Sequence, residues 1–177
     1  MSALKVIAVV LIILASGVLT VAGTKPDVFS VARSVTIQAP PERVFALIND
    51  FHLWPNWSPW ERLDPAMKRS YSGSERGKGA VYAWEGTSKV GAGRMEITES
   101  NSPSQLKIAL DFVKPIESRS QAEYRLRPDG AGTRITWEMH GPNSFGAKIV
   151  QVFFDTETMV GKDFETGLAN LKQAAEH

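Results

Sequence analysis

A chain of 177 residues is long enough for one folded domain with a substantial core, and its composition excludes several kinds of function. The 20 basic and 19 acidic residues leave the chain nearly neutral, without the clustered positive charge that nucleic acid binding requires. The absence of cysteine excludes disulfide bonds, thiolate catalysis and cysteine-ligated metal sites.

The chain begins with an uncharged apolar run, Val6 to Thr24, whose 19 residues suffice to cross a bilayer as a helix. A secretory signal has a shorter apolar region, although Val21-Ala22-Gly23 resembles a cleavage site. We therefore predict a transmembrane anchor over residues 1–25, with a cleaved signal peptide as the alternative, and a folded domain over residues 26–177. The short basic start at Lys5 favours export of that domain, although basic residues on both sides leave the orientation open.

The first predicted strand, Val31 to Ala39, is ended by Pro40-Pro41, and a short amphipathic helix follows up to about Asn49-Asp50. Prolines inside the next segment allow only short helical turns. That segment is the tryptophan segment, residues 51–60.

Three tryptophans in this segment, Trp54, Trp57 and Trp60, are spaced three residues apart. In a tight helical turn such residues share one side, so the three rings form an apolar surface that must cover a core or line a cavity. We favour a core position for the three together. Trp57 is the one that we expect to reach the cavity.

After Asp64-Pro65 the apolar pattern changes to a period of two, which predicts six strands. The predicted strands are Met67–Ser72, Ala80–Glu85, Arg94–Glu99, Gln105–Val113, Gln121–Arg127 and Thr133–His140. The turns between them are short, so the strands are expected to pair in antiparallel fashion, with one face of the sheet covered.

A final helix is predicted from a cap at Asn143 or Ser144 to about Ala175, with an irregularity near Asp155–Thr158. Glycines inside its apolar pattern indicate a close approach to a neighbouring element. The order of elements predicts an α+β fold in which a curved antiparallel sheet wraps around this long helix. A sheet and a helix arranged in this way enclose an apolar cleft, which is a natural ligand pocket.

Four short motifs resemble the START/Bet v 1-like superfamily, also called SRPBCC or polyketide cyclase/dehydrase-like. They are APPERVF at 39–45, WPNWSPW at 54–60, GTRITW at 132–137 and GKDF at 161–164. The resemblance covers nearly the whole domain and extends to a bacterial subgroup with an N-terminal membrane anchor. It implies the helix-grip fold with a deep cavity, and it assigns no reaction because the superfamily includes lipid carriers, receptors and cyclases.

The side chains expected to face the cavity are large and soft, and such walls suit apolar ligands although they can equally fill a core. The candidate ligand contacts are Trp57, Trp84, Met95, Phe112, Tyr124, Trp137, Met139, Met159 and Phe164. Acid–base candidates are Tyr82, Tyr124 and His52, and turn residues around His52 favour a solvated loop position. Asp163 is expected to be turned away from the cavity, into solvent, because it precedes Phe164 on the helix.

The function predicted from the sequence is that of a binding protein for a hydrophobic small molecule or lipid. We expect it to be a single-pass protein of the bacterial cytoplasmic membrane with an extracytoplasmic domain, or a secreted protein after signal cleavage. No cofactor, no metal and no nucleic acid partner is expected, and no known catalytic motif is present. A polyketide cyclase/dehydratase-like enzyme and an interaction module with a filled core are the alternatives. A cavity below about 300 Å³ would favour the filled core.

Overall fold

The computed structural model of the protein describes residues 3–177 and has an α+β fold. In chain order the elements are α1 (Ala3–Thr24), β1 (Val28–Ile37), α2 (Pro41–Ile48), a 3-10 helix (Phe51–Asn56), α3 (Trp60–Leu63), β2 (Lys68–Gly73), β3 (Ala80–Glu85), β4 (Ala92–Asn101), β5 (Gln105–Lys114), β6 (Ser118–Asp129), β7 (Gly132–Pro142), α4 (Phe145–Phe153) and α5 (Thr156–Glu176). All predicted strands are present, because the period-two pattern marks each apolar face.

The strands form one antiparallel sheet in the order β1-β7-β6-β5-β4-β3-β2. Its two edges are β1 and β2, and β1 also packs against α5. The register between β4 and β5 shifts after Ala92 and again after Ile97, and irregularities of this kind bend a sheet. The curved sheet holds α5 against its apolar face, which is the helix-grip arrangement expected from the sequence.

Antiparallel pairing gives the sheet two ends with different connections. At one end β1 begins at Val28, β7 ends at Pro142, and the loops 86–91 and 115–117 join β3 to β4 and β5 to β6. We call this the α1 end, because α1 leads into β1 there. The opposite end, the far end, carries the turn at 130–131 and the start of α2.

The single C-terminal helix predicted from Ser144 is wrong, because the structure has two helices there. The hydroxyl of Ser144 caps the first turn of α4. Phe154 is extended, with φ −128° and ψ 129°, and ends that helix. The Asp155 carboxylate then accepts a hydrogen bond from the Thr158 amide at 3.0 Å and caps α5. The break lies at the irregularity that the sequence indicated, where capping competes with helix continuation.

Two glycines allow α5 to approach its neighbours closely. A Cβ atom on Gly161 would lie 2.1 Å from the Arg33 guanidinium, and one on Gly167 would lie 2.8 Å from the Trp137 ring. A side chain at either position would displace these groups, so the predicted close approach is confirmed. The Arg33 guanidinium also donates to Glu165 at 2.8 Å, which links β1 to α5.

Toward the far end of the sheet the core side chains are fully buried. The aliphatic core side chains with no exposed surface are Ile37, Val44, Ile48, Ile97, Leu106, Ile108, Ile135 and Leu171. The indole N–H groups of Trp54 and Trp57 donate to the carbonyls of Ile48 and Leu47, both at 3.1 Å. The tryptophan segment is therefore fixed to α2 as well as packed into the core.

Helix α1 extends away from the core. Most of its side chains are exposed, and Ala22, near its C-terminal end, is buried. At about 1.5 Å per residue its 22 residues reach roughly 33 Å, which is enough to cross the hydrocarbon layer. By length and composition this helix fits either a membrane anchor or a signal sequence.

Candidate ligand-binding site

A cavity of about 250 Å³ lies between the curved sheet, α5 and the tryptophan segment. Its apolar walls include two of the three spaced tryptophans, Trp54 and Trp60. The other apolar lining residues that the sequence did not single out are Met67, Val90, Leu110, Ala122 and Val160. The cavity occupies the half of the fold nearer the α1 end, since Val90 lies in the loop 86–91 and Val160 in the first turns of α5.

The cavity is smaller than the 300 Å³ at which we separated a ligand site from a filled core, so its volume taken alone favours the filled core. A drug-sized molecule would therefore not be fully enclosed. Met95 and Met139 form part of the wall, and their flexible thioether side chains can move to admit a larger group. The space suits a small apolar molecule, or the apolar end of a longer one, better than a whole lipid.

Most of the side chains predicted as ligand contacts meet at this cavity. Those that line it are Trp84, Met95, Phe112, Tyr124, Trp137, Met139 and Phe164. They come from five strands and α5, and the strand alternation brings them to one face. The sequence pattern therefore placed most of the wall correctly, although the wall alone does not show what it binds.

Two predicted contacts do not line the cavity. Trp57 has no exposed surface and lies in the core, whereas Trp54 and Trp60 line the cavity instead. The reason is local, because Trp57 ends the 3-10 helix with φ −138° and ψ −30°, so the three rings do not share one helical face. Met159 is 61% exposed, whereas its neighbour Val160 lines the cavity. Adjacent residues of a helix point in directions about 100° apart, so both side chains do not face the cavity.

Glu61 is a buried acid in the cavity wall that sequence reasoning missed. Its carboxylate accepts a hydrogen bond from the Tyr82 hydroxyl at 2.6 Å and another from the Arg69 guanidinium at 2.7 Å. Burial, followed by the hydrogen bond to Glu61, raises the pKa of Tyr82, so its phenol remains a donor. The sequence held a weak signal, because Glu61 follows Trp57 by four residues, which is a helical spacing.

Asp163 also lines the cavity, which corrects the prediction that it is turned into solvent. The cavity is wide enough to contact both Asp163 and Phe164, although they are adjacent on α5. Glu165 does point outward, toward Arg33. Burial raises the pKa of Asp163, and a hydrogen bond from Trp60 opposes that rise. The cavity therefore contains a carboxyl group that is protonated more readily than an aspartate in water.

Two buried donors in the cavity wall have no hydrogen-bond partner within the described part of the chain. They are the Tyr124 hydroxyl and the indole N–H of Trp137. Their rings stack with centroids 5.1 Å apart, and Trp137 stacks on Phe164 at 4.0 Å. Burial raises the pKa of Tyr124 well above its ordinary value. An unpaired buried donor costs about 1–3 kcal/mol, which an acceptor atom on a ligand would offset.

His52 lies outside the cavity, unlike the two tyrosine candidates Tyr82 and Tyr124. Its side chain is half-exposed, its Nδ1 lies 2.9 Å from the Asp50 carboxylate, and its ring stacks on Tyr71 at 4.2 Å. His52 is solvated, as the flanking turn residues indicated, but it lies in the 3-10 helix (Phe51–Asn56) and not in a loop. His52 therefore cannot contact a molecule inside the cavity.

The fold and the cavity together define a helix-grip protein with an apolar interior space. Residues 28–176 match the family model described as polyketide cyclase / dehydrase and lipid transport. The match covers most of the chain, so the protein belongs to this family. A search of curated protein sequences finds no significant match.

Solved structures share the fold at low sequence identity. The chain is similar to the KanY protein, at 17% identity and a TM-score of 0.64, over 84% of this chain and 98% of that one. It is similar to MLL2253 from Mesorhizobium loti, at 16% identity and a TM-score of 0.60, over 82% and 96%. It is also similar to CV1439 from Chromobacterium violaceum, at 14% identity and a TM-score of 0.59, over 86% and 99%. At these identities the likeness shows the fold alone.

Proposed function

We propose that the protein is a membrane-anchored binding protein for a hydrophobic small molecule, held non-covalently in the cavity. The observation that carries the proposal is a space of about 250 Å³ walled by aromatic and methionine side chains inside an otherwise filled core. Moving apolar ligand surface from water into such a wall contributes about 25 cal/mol per Å².

The proposed ligand contacts are the lining residues, with Trp54 and Trp60 taking the place of Trp57. The volume favours a compact apolar molecule or a single chain end rather than a whole lipid. Affinity would come from the apolar walls. Orientation would come from the few polar groups of the cavity, among which Tyr124 and Trp137 have no protein partner among residues 3–177.

We further propose that residues 1–25 remain attached as an anchor and that residues 26–177 form the binding domain, outside a bacterial cytoplasmic membrane. This proposal is supported by the contacts of α1, which packs beside α4 and buries Ala22. Anchoring would hold the cavity close to the lipid surface and raise the local concentration of apolar ligands.

A pair of matched variants tests the binding proposal. Ala122→Phe places a ring in the cavity, whereas Ala109→Phe makes the same change on the opposite face of the sheet. The full chain in lipid nanodiscs is titrated with the uncharged probe N-phenyl-1-naphthylamine, and energy transfer from tryptophan is measured. We expect saturable transfer with the wild type and with Ala109→Phe, and its loss with Ala122→Phe. Equal transfer in all three proteins would reject the cavity as the site and favour the interaction module with a filled core.

A cyclase- or dehydratase-like enzyme is the second candidate, because the cavity contains two carboxyl groups. Glu61 is buried with Tyr82 as its donor, and burial raises the pKa of Asp163. Two carboxyl groups in one apolar cavity, one of them with a raised pKa, suit general acid–base chemistry. If the protein is an enzyme, Tyr82→Phe and Asp163→Asn abolish turnover and leave probe binding intact. If it is a binding protein, neither variant changes the chemical identity of a bound molecule.

A further inference from the structure

The connection between α1 and the domain is short and fixed. Three residues separate α1 from β1, and they can extend over about 10 Å at most. The Asn143 side chain donates to the Pro26 carbonyl at 2.9 Å, and the Lys148 ammonium binds the Asp27 carboxylate at 2.5 Å. The start of the domain is therefore fixed to α4. Because the connection is short, the domain lies directly beside the end of α1.

Exposed apolar side chains are concentrated at the same end of the domain. Those at the α1 end or on the adjoining helices are Val28, Val113, Ile116, Phe145, Val150, Phe153, Phe154 and Met159. Elsewhere outside α1, the described residues with large exposed apolar side chains are Leu63 and Tyr71. An apolar area gathered in this way on a soluble surface indicates a contact with another apolar phase.

Helix α4 carries an apolar stripe along one face. Phe145, Ile149, Val152 and Phe153 are spaced at i, i+4, i+7 and i+8 and share one face. Phe153 is 65% exposed on that face, and α4 packs beside α1. If α1 crosses the bilayer, this apolar face of α4 lies where α1 leaves the hydrocarbon layer, which is the depth that amphipathic surface helices occupy.

The charges at the α1 end are nearly balanced. Lys114 pairs with Glu85 at 3.1 Å, and Arg119 pairs with Asp111 at 3.5 Å. Lys89 is exposed on the loop 86–91. Attraction to anionic lipids is therefore small, and apolar contact is the main term that would hold this surface on a bilayer.

The cavity opens toward the same surface. Its exposed lining residue is Lys89, next to the half-buried Val90, and Phe112 stands at the base of the loop 115–117. The Asp64 carboxylate accepts a hydrogen bond from the Thr87 amide at 2.7 Å, which keeps the loop 86–91 at the rim of the cavity. The mouth therefore lies beside the loop 86–91, which carries Lys89, and near the loop 115–117, which carries the exposed Ile116.

We propose that the α1 end is embedded in the interfacial layer of the bilayer, through α4 and the loop 115–117, so that the cavity mouth faces lipid rather than water. This inference rests on the membrane anchoring in the proposed function. Ligand then enters from the membrane, where apolar molecules are concentrated, without crossing the aqueous phase. A second copy of the chain is the competing occupant of this surface, and the experiment below separates the two.

Single-cysteine variants test the position of the surface, because the chain has no cysteine of its own. Ile116→Cys, Phe153→Cys and Lys89→Cys report on the α1 end, Ala131→Cys on the far end and Leu11→Cys on α1. Each full-length variant carries an environment-sensitive fluorophore and is reconstituted in phosphatidylcholine vesicles that contain nitroxide-labelled lipids. We expect a nitroxide near the headgroup to remove most fluorescence at positions 116, 153 and 89, and little at 131.

The outcomes separate this inference from the proposed function. If the label at Leu11 is not quenched by a nitroxide deep in the acyl chains, the anchor itself is rejected. If Leu11 is quenched but Ile116, Phe153 and Lys89 behave like Ala131, the anchor stands and the embedded surface is rejected. Labels at the α1 end that are blue-shifted but insensitive to the nitroxide would mean that a second copy covers this surface, which also overturns the inference.

Discussion

The two ends of the sheet differ in how completely their side chains are buried and hydrogen-bonded within the protein. At the far end Ile37 and Leu171 have no exposed surface, and the indole N–H of Trp57 is bonded to a carbonyl. At the α1 end a cavity remains and Phe153 is exposed, and midway along β6 the hydroxyl of Tyr124 lacks a partner within residues 3–177. The far half buries its side chains within the protein. The α1 half is the part to which we assign, in the two proposals above, a ligand inside and an apolar phase outside.

Two leucines on the same face of β5 give the largest test of this difference. Leu106 is fully buried in the filled half, whereas Leu110 borders the cavity. Leu106→Ala should lower the free energy of unfolding by about 4 kcal/mol, and Leu110→Ala by about 2 kcal/mol, because Leu110 has fewer packing contacts to lose. Guanidinium unfolding of the full chain in a mild detergent, followed by tryptophan fluorescence, measures both. Equal losses would mean that the two halves are packed alike.

Two tyrosines in the cavity wall give a smaller test. Tyr82 donates to Glu61, so Tyr82→Phe should lower the free energy of unfolding by about 2 kcal/mol. Tyr124→Phe removes a hydroxyl without a described partner, so the ligand-free protein should lose nothing or gain up to about 1 kcal/mol. The same unfolding assay gives both values. A loss for Tyr124→Phe as large as that for Tyr82→Phe would show that the Tyr124 hydroxyl is already bonded inside the protein.

The pH dependence of Asp163 gives the smallest test. Burial raises its folded-state pKa above the ordinary value of 3.8, so ionisation opposes folding. Below pH 3.8 Asp163 is protonated in both the folded and the unfolded wild type, so it does not lower stability. As the pH rises from 3.8 through the raised folded-state pKa, the free energy of unfolding of the wild type falls. Asp163→Asn does not ionise, so its melting temperature relative to the wild type should increase across that window and then level off. The exposed Glu117→Gln is the control, and a flat difference for Asp163→Asn would contradict the buried position.

Much of the sheet could be predicted from the sequence, because alternation in β5 and β7 reflects which face is buried. The glycines of α5 indicated a close approach, and the structure has Trp137 beside Gly167. The break at Phe154 was visible only as an irregularity, because the balance between a cap at Asp155 and a continued helix depends on tertiary contacts. Local patterns therefore gave the architecture and left that boundary open.

The polar groups of the cavity were harder to predict from the sequence than its apolar wall. The helical period of α5 alone predicted that Asp163 faces solvent. The width of the cavity is set by elements distant in sequence, and it is large enough that two adjacent residues of α5 line it. Glu61 was missed because prolines on both sides hid the helical spacing that it shares with Trp57. The apolar wall was easier to predict, since burying an aromatic side chain is favourable in almost any context.

The most direct test of the central claim is mass spectrometry of the intact protein with any molecule that it has bound in the cell. The wild type, Ala109→Phe and Ala122→Phe are extracted from cell membranes in a mild detergent and transferred intact to the gas phase. We expect the wild type and Ala109→Phe to carry the same small apolar molecule and Ala122→Phe to be free of it. A wild-type protein without a bound molecule, or one whose bound molecule persists in Ala122→Phe, would contradict a ligand-binding cavity.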